Sequence, residues 1–247
     1  MDEQPDTQIQ ETTAFSKLFN MFSEPSAVFE EVSLQEKTTM NWLLPVAGVI
    51  LVGIVFTFIV FSDPVIKQEM RNTQIQKLEE KIQKGEMTRE QLDKALAFIP
   101  EPGSPIFLIT GTLGMLVYAF ASVLLVSLVL MLVGKWFLHV DVAYAKMMEV
   151  VGLANAVFIL GTIVTILTVK IGGSINKTPS IAFFLEPFDT TSITHHLLKF
   201  VDVFSFWYVY VLSLGVRTLY QKSIGVSVGI VGAIWILYAI LTSYISS

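Results

Sequence analysis

Five stretches of the chain are apolar for about twenty residues or more, and they limit the fold more than any other feature. They cover residues 42–62, 106–134, 147–171, 199–219 and 224–246. The apolar core of a bilayer is roughly 30 Å thick, and a helix needs about 20 residues to cross it. A helix also bonds every backbone polar group within its own segment, as the bilayer requires. The sequence therefore predicts an all-α integral membrane protein with five transmembrane helices.

The composition agrees with a membrane protein and excludes several functional classes. Of the 247 residues, 53% are hydrophobic and 15% are charged, whereas roughly a quarter of a soluble domain is charged. The chain has no cysteine, so disulfides and thiolate metal sites are excluded. Its net charge of -5 forms no basic patch for nucleic acid. Because no catalytic motif occurs, we expect neither enzymatic activity, nor a cofactor, nor a bound metal.

The residues before the first span have a pattern of their own. Residues 1–14 are acidic and lack an apolar core, so we expect a disordered tail and no signal peptide. In residues 15–41, apolar side chains recur at helical spacing in two short segments. This pattern predicts two amphipathic helices at the membrane interface or against the spans. The alternative is a small cytosolic pair of helices without lipid contact.

Residues 63–105 separate the first two spans and predict an aqueous helical hairpin. Gly85 supplies a natural end for the first helix. Thr88 and Gln91 have the spacing of a capping box at the start of the second helix. The mixed charges of the hairpin indicate a solvated face, and docking of a partner protein is the alternative.

Two segments of the sequence have a distinctive pattern of aromatic, proline and glycine residues. The first is FNMFSEPSAVFEEV with the following WLLP, and the second is DVFSFWYVYVLSLGVR. Their characteristic residues are Pro25, Phe29, Trp42, Pro45, Asp202, Phe204, Trp207 and Gly215. With these residues the sequence resembles the Yip domain family of Ypt/Rab-interacting, five-span membrane proteins, in its prokaryotic form. The resemblance covers residues 15 to about 246 and agrees with the span count.

The resemblance implies a non-enzymatic membrane protein, tied in eukaryotes to vesicle traffic and organelle shape. The D-L-Y-G-P motif of the eukaryotic tails is absent here, so the resemblance does not extend to GTPase binding. We expect the protein in a bacterial cytoplasmic membrane. The Lys and Arg distribution favours an external N-terminus, but that orientation would move a 41-residue acidic tail across the membrane. We therefore expect the N-terminus in the cytoplasm.

The fourth span has a charged residue near each end. The uncharged run between Asp202 and Arg217 covers only ~21 Å, so at least one of the two charges must lie inside the edge of the bilayer core. Arg217 can reach the headgroups on its long stem. We interpret Asp202 as an interfacial anchor, bonded to a neighbouring helix end or to Lys199. A proton- or ion-linked site, or a metal site with His195, are the alternatives.

Other polar and small residues of the spans have weaker patterns. Glu149 follows Lys146 at helical spacing near the membrane edge, which predicts a surface ion pair. Asn155 lies within the third span and predicts an interhelical hydrogen bond, or else a substrate contact. Small residues recur every four positions on the fifth span, which predicts close helix packing within the chain or homodimerisation. These small residues are Gly225, Gly229 and Ala233.

Two functional hypotheses follow from the sequence. The first is a scaffold or adaptor that organises lipid or recruits membrane or peripheral proteins, which the sequence does not identify. Its working surfaces would be the N-terminal helices and the hairpin of residues 63–105. The second is a transporter, or an accessory subunit of a transport or efflux complex, with Asp202 and Asn155 beside a polar path.

Overall fold

The apolar stretches form long helices in the structure, a computed structural model that describes residues 12–246. The predicted disorder of residues 1–11 lies outside these described residues. A 3₁₀ turn at Ile181–Phe184 lies between the third and fourth spans. The α-helices are α1 (Ala14–Asn20), α2 (Pro25–Leu34), α3 (Met40–Val60), α4 (Pro64–Gln83), α5 (Arg89–Phe98), α6 (Pro105–Phe137), α7 (Tyr144–Ala154), α8 (Ala156–Gly172), α9 (Ile193–Leu198), α10 (Val203–Tyr220) and α11 (Ile224–Ser246).

Five helical segments in the described chain are long and apolar enough to cross a membrane. They are α3, α6, the combined α7 and α8, α10 and α11. The prediction of an all-α protein with five transmembrane helices is therefore confirmed. The fourth span begins at Val203 and not at residue 199, because the carboxylate of Asp202 caps the helix at that point.

The third span is divided at Asn155, between α7 and α8. The backbone N–H of Asn155 donates to the carbonyls of Val151 and Gly152, and its own carbonyl accepts from Phe158. No side-chain hydrogen bond of Asn155 is present among the described residues, and the predicted interhelical bond stays a prediction. The asparagine marks a break in the span.

The hairpin between the first two spans consists of α4 and α5. The side chain of Asp63 caps α4 by accepting from the N–H of Val65, and it pairs with Lys170 at 2.5 Å. Thr88 and Gln91 form the predicted capping box at the start of α5. Because Lys170 is in the last turn of α8, the ion pair ties the base of the hairpin to the end of the third span.

The N-terminal helices pack against the spans at the opposite end of the bundle from the hairpin. Helix α2 lies on α10 and α7, and α1 lies on α3. Met21, Phe29 and Val32 are fully buried by this packing. The tail helices are therefore part of the core of the bundle.

The small residues of the fifth span face away from the rest of the chain. Gly225, Gly229 and Ala233 are exposed. Apart from the neighbouring backbone of α11 itself, no atom of the described chain lies within 4 Å of a Cβ built on either glycine. The predicted packing of this stripe within the chain is wrong, and homodimerisation stays a prediction. The close helix contacts are made at Gly152 and Gly215, on α7 and α10.

Candidate functional site

The two segments that resemble the Yip family contact each other in the bundle. A Cβ on Gly215 would lie 2.4 Å from a methyl carbon of Val150 and 3.0 Å from the ring of Phe29. The absent side chain of Gly215 thus lets α2 and α7 approach the backbone of α10. Nearby, the rings of Phe22 and Trp207 meet edge to face, with centroids 5.9 Å apart. The motif residues of the tail and of the fourth span therefore form one packing site.

The remaining motif residues join α3 and α10 to the third span. The backbone of α3 at Trp42 passes so close to Gly152 that a Cβ there would lie 2.4 Å from the Trp42 Cα. The side chain of Phe204 packs on Gly161, where a Cβ would lie 3.2 Å from the Phe204 ring. Pro45 lies inside α3 and has no N–H to donate to the carbonyl of Asn41.

A polar cluster lies under the chain that joins α2 to α3. The carboxylate of Glu149 is fully buried. It accepts hydrogen bonds from Asn41 Nδ2 at 2.7 Å and from the N–H of Thr38 at 3.2 Å. It also pairs with Lys146 Nζ at 3.3 Å. Two neutral donors and the Lys146 counter-ion together satisfy a carboxylate that would otherwise be very costly to bury.

Lys146 of this cluster also binds the start of the α2–α3 connection. Lys146 Nζ donates to the carbonyl of Val32 at 2.7 Å and to that of Glu36 at 3.3 Å. Val32 lies in the last turn of α2, where backbone carbonyls lack partners within the helix and attract a cation. We call Lys146, Glu149 and Asn41 the polar clamp. It joins α2, α3 and α7.

The predicted ion pair of Lys146 and Glu149 is present, but the prediction that it lies at the surface is wrong. The side chains are 12% and 0% exposed. Residues three apart on a helix are neighbours, so the sequence could indicate the pair. Its burial comes from the α2–α3 connection, which covers α7 and which no local pattern of α7 predicts.

A second ion pair, which the sequence analysis missed, joins α1 to α2. Lys17 is 3% exposed, lies 3.5 Å from Glu31, and donates to Gln35 Oε1. Thr12 donates to Glu31 from its N–H and its hydroxyl. Burial raises the pKa of Glu31, but the bonds from Thr12 and the charge of Lys17 outweigh it and hold that pKa below its ordinary value. The residues belong to separate helices, so no spacing rule indicated the pair.

Asp202 caps its own helix. Its Oδ1 accepts from the N–H groups of Phe204 and Ser205 at 2.8 and 3.0 Å, and its Oδ2 accepts from the Ser205 hydroxyl. Lys199 donates instead to Asn176 at 2.7 Å, and His195 Nδ1 accepts from the backbone at 2.9 Å. Lys199, one of the two predicted anchors, is therefore not the partner of Asp202 in this structure, and the alternative of a metal site with His195 stays a hypothesis. Asp202 anchors a helix end, and that end belongs to α10.

Arg217 and Asn155, the other polar residues indicated by the sequence, lie apart from the clamp. Arg217 is exposed in the last turn of α10, as expected for a side chain that reaches the headgroups. Asn155 is buried at the break between α7 and α8. The structure does not bring Asp202 and Asn155 into one polar site.

A second polar cluster lies at the hairpin end of the bundle, outside the spans. Lys199 Nζ is bonded to Asn176 and lies 4.4 Å from the centroid of the Phe188 ring. Glu69 of α4 accepts from the hydroxyl of Ser174 and from the N–H of Ile175. Burial lowers the pKa of Lys199 to about 8, and the charge of Lys77 acts in the same direction. These contacts hold α4 against the 174–199 segment.

The low pKa of Lys199 predicts a pH dependence of stability. The pKa is about 8 in the folded protein and 10.5 in the unfolded chain. Between these values the unfolded chain binds more protons, so the contribution of Lys199 to stability rises with pH. We expect the unfolding temperature of the wild type to rise relative to Lys199→Met between pH 7 and pH 10. A constant difference between the two proteins would contradict this assignment.

The fold and these contacts define the class of the protein. Five apolar helical segments cross the membrane, and an ordered N-terminal pair of helices is clamped to one end of them, so the chain is a multi-pass integral membrane protein. Residues 19–245 match the Yip1 domain, and the chain belongs to the Yip1 domain family. No curated protein and no solved structure matches the chain significantly.

Proposed function

We propose that this protein is a non-enzymatic membrane scaffold of the Yip type, which organises the bilayer or recruits partner proteins. The contacts of the charged residues in and beside the spans carry this proposal. Asp202 caps a helix, and Lys146 and Glu149 clamp the N-terminal helices to the bundle. The polar atoms of these side chains bond to the protein itself. A transport site would instead need such atoms to bind its substrate.

The hairpin is the surface proposed for partners. Among the described residues of α5, Leu92 is the one that is buried. Phe98, at the end of the helix, is 86% exposed. Helix α5 contacts α4 and otherwise projects from the bundle, which leaves most of its surface open to another protein.

We also propose that the N-terminal helices lie on the cytoplasmic side of a bacterial cytoplasmic membrane. The acidic residues 1–11 then stay in the cytoplasm, and no charged tail has to cross the bilayer. The hairpin and the 173–192 segment would face the other side. A partner of the hairpin is accordingly an extracytoplasmic protein or the outer part of another membrane protein.

Photo-crosslinking tests the hairpin as a recruiting surface. A crosslinking amino acid would replace Lys84, Arg89 or Asp93, which are exposed on the hairpin, in cells that make the full chain. We expect the three positions to give an adduct of the same mass. The control is Leu125, which is 61% exposed on the apolar helix α6 and should give lipid adducts. Three unrelated patterns, or none above the Leu125 control, would count against recruitment by the hairpin.

Asp202 variants separate the scaffold from the transport hypothesis. Replacing Asp202 with alanine removes an N-cap, which costs about 0.5–2 kcal/mol, whereas asparagine keeps a capping oxygen. We expect Asp202→Asn to unfold close to the wild type and Asp202→Ala to unfold earlier. In reconstituted vesicles, neither the wild type nor Asp202→Asn should carry protons or solutes above the level of empty vesicles. A wild-type flux that Asp202→Asn abolishes would establish the transport alternative.

A further inference from the structure

Helix α1 exposes aromatic side chains and buries a charged one. Phe15 and Phe19 are 61% and 57% exposed, and their rings meet edge to face with centroids 4.9 Å apart. Lys17, between them in sequence, is 3% exposed and faces α2. In water the opposite arrangement is the rule, since lysine is almost never fully buried and phenylalanine often is.

Helix α2, its neighbour, exposes polar residues. Ser26 and Glu30 are exposed on α2, and Ser23 and Glu24 are exposed in the turn before it. The inward face of α2 carries the fully buried Phe29. Apart from Leu34 in its last turn, which is 76% exposed, α2 therefore has the arrangement expected beside water. On α1, Ser16 and Asn20 are exposed as well, and it is the Phe15–Phe19 face that has the arrangement expected beside lipid.

The position of α1 in the bundle agrees with this difference. Helix α1 packs against α3, the first membrane span, which exposes Met40 in its first turn and Leu51 further along. Helix α1 thus lies against a span whose outer surface is apolar. On these grounds we propose that the Phe15–Phe19 face of α1 lies among the acyl chains of one leaflet, while the outer face of α2 lies in water.

The charged residues of α1 and α2 indicate that the hydrophobic effect, and not electrostatic attraction, drives this lipid contact. Lys17 is bonded inside the protein, to Glu31 and Gln35. The charged residues exposed on α2 and in the turn before it, Glu30 and Glu24, are acidic, and the exposed Glu36 and Lys37 after α2 carry opposite charges. Anionic headgroups would be repelled by these carboxylates, so the contact draws on burial of the two rings and not on attraction to anionic lipid.

Insertion of α1 makes the molecule occupy unequal volumes in the two leaflets of the bilayer. The five spans cross both leaflets, whereas α1 adds the volume of a short helix to one leaflet only. This asymmetry does not depend on the scaffold role, and it would hold even if the hairpin recruited no partner.

Lipid quenching tests the proposal in the full chain, which has no native cysteine. Single cysteines at Phe15 and Phe19 would carry a fluorophore, and the protein would be reconstituted in phosphatidylcholine vesicles with spin-labelled acyl chains. Ser26→Cys and Glu30→Cys are the matched controls for water, and Leu125→Cys is the control for lipid. We expect quenching at 15 and 19 to be several-fold stronger than at 26 and 30 and to approach that at 125.

Three outcomes would overturn the proposal. Quenching at 15, 19, 26 and 30 that is equally weak beside 125, with fast reaction of the cysteines with a membrane-impermeant maleimide, would place α1 in water. Weak quenching at 15 and 19 together with slow reaction of the cysteines with a membrane-impermeant maleimide would mean that protein, such as a second copy, covers this face. Quenching that needs an anionic lipid would make the contact electrostatic. All five substituted side chains are exposed, so the variants should fold, which the unfolding temperature would verify.

Discussion

Replacing Glu149 with alanine is expected to lower the free energy of unfolding by about 3–5 kcal/mol, because the change leaves Lys146 buried without its counter-ion. The side chain of Lys146 is 12% exposed, so water cannot fully replace the lost carboxylate. The change also removes the acceptor of Asn41 Nδ2 and of the Thr38 N–H. Reversible unfolding in detergent micelles would measure the loss.

The hairpin supplies a matched control for this experiment. Glu90 and Lys94 form an ion pair at 2.6 Å, with side chains 79% and 69% exposed. An exposed pair of this kind contributes about 0–1 kcal/mol, so Glu90→Ala should unfold close to the wild type. If Glu149→Ala loses no more than Glu90→Ala, the polar clamp does not hold the bundle.

A double variant distinguishes a missing counter-ion from a missing contact. Lys146→Met with Glu149→Leu removes both charges and fills a similar volume, and such replacements of buried pairs are often neutral. We expect the double variant to recover part of the loss seen in Glu149→Ala. Recovery should be incomplete, since Lys146 also serves the carbonyls of Val32 and Glu36.

Gly152→Ala is expected to be the most damaging change of a single methyl group. The new Cβ would lie 2.4 Å from the Cα of Trp42, a backbone atom that no rotamer change can move. Helices α3 and α7 would have to separate, and overpacking of this kind costs about 1–3 kcal/mol or more. Gly215→Ala should cost less, because its nearest neighbour is the movable side chain of Val150.

Gly229→Ala is the control for both glycine variants. Apart from the neighbouring backbone of α11 itself, no atom of the described chain lies within 4 Å of a Cβ at that position, and alanine favours a helix over glycine by about 1 kcal/mol. Gly229→Ala should therefore unfold at or above the wild-type temperature. A loss of stability at Gly229 similar to that at Gly152 would mean that α11 packs on another protein chain.

Because the N-terminal helices are packed into the bundle, a deletion of the tail would also damage the membrane spans. A tail that only lay on the membrane could be removed without harm to the spans. Here removal of residues 1–36 would take the buried Phe29 and Val32 out of the core and uncover Gly215. Loss of a partner from such a deletion would reflect the damaged bundle, so point changes on the exposed faces are the better tests.

Local chemistry was enough to predict the five spans, the tail helices, the hairpin and several helix ends, but not the division of the third span or the short helix α9. The length of each apolar segment indicated a span. Lipid offers no hydrogen bonds to the backbone, so each segment that crosses it has to form a helix on its own. The capping box of Thr88 and Gln91 marked the start of α5 for the same local reason. The sequence indicated Asp202 as a charge beside a span. Its role as an N-cap could be assigned only from the structure, in which α10 begins at Val203.

The sequence by itself determined that this protein crosses the membrane five times and carries a helical hairpin between the first two crossings. Both features follow from interactions between residues close together in the chain. Only the tertiary structure decided that Glu149 is buried, that Gly215 receives Phe29, and that α1 turns Lys17 inward. These contacts join residues that are far apart in sequence or on different helices, and burial depends on which segment covers a side chain, which no local spacing records.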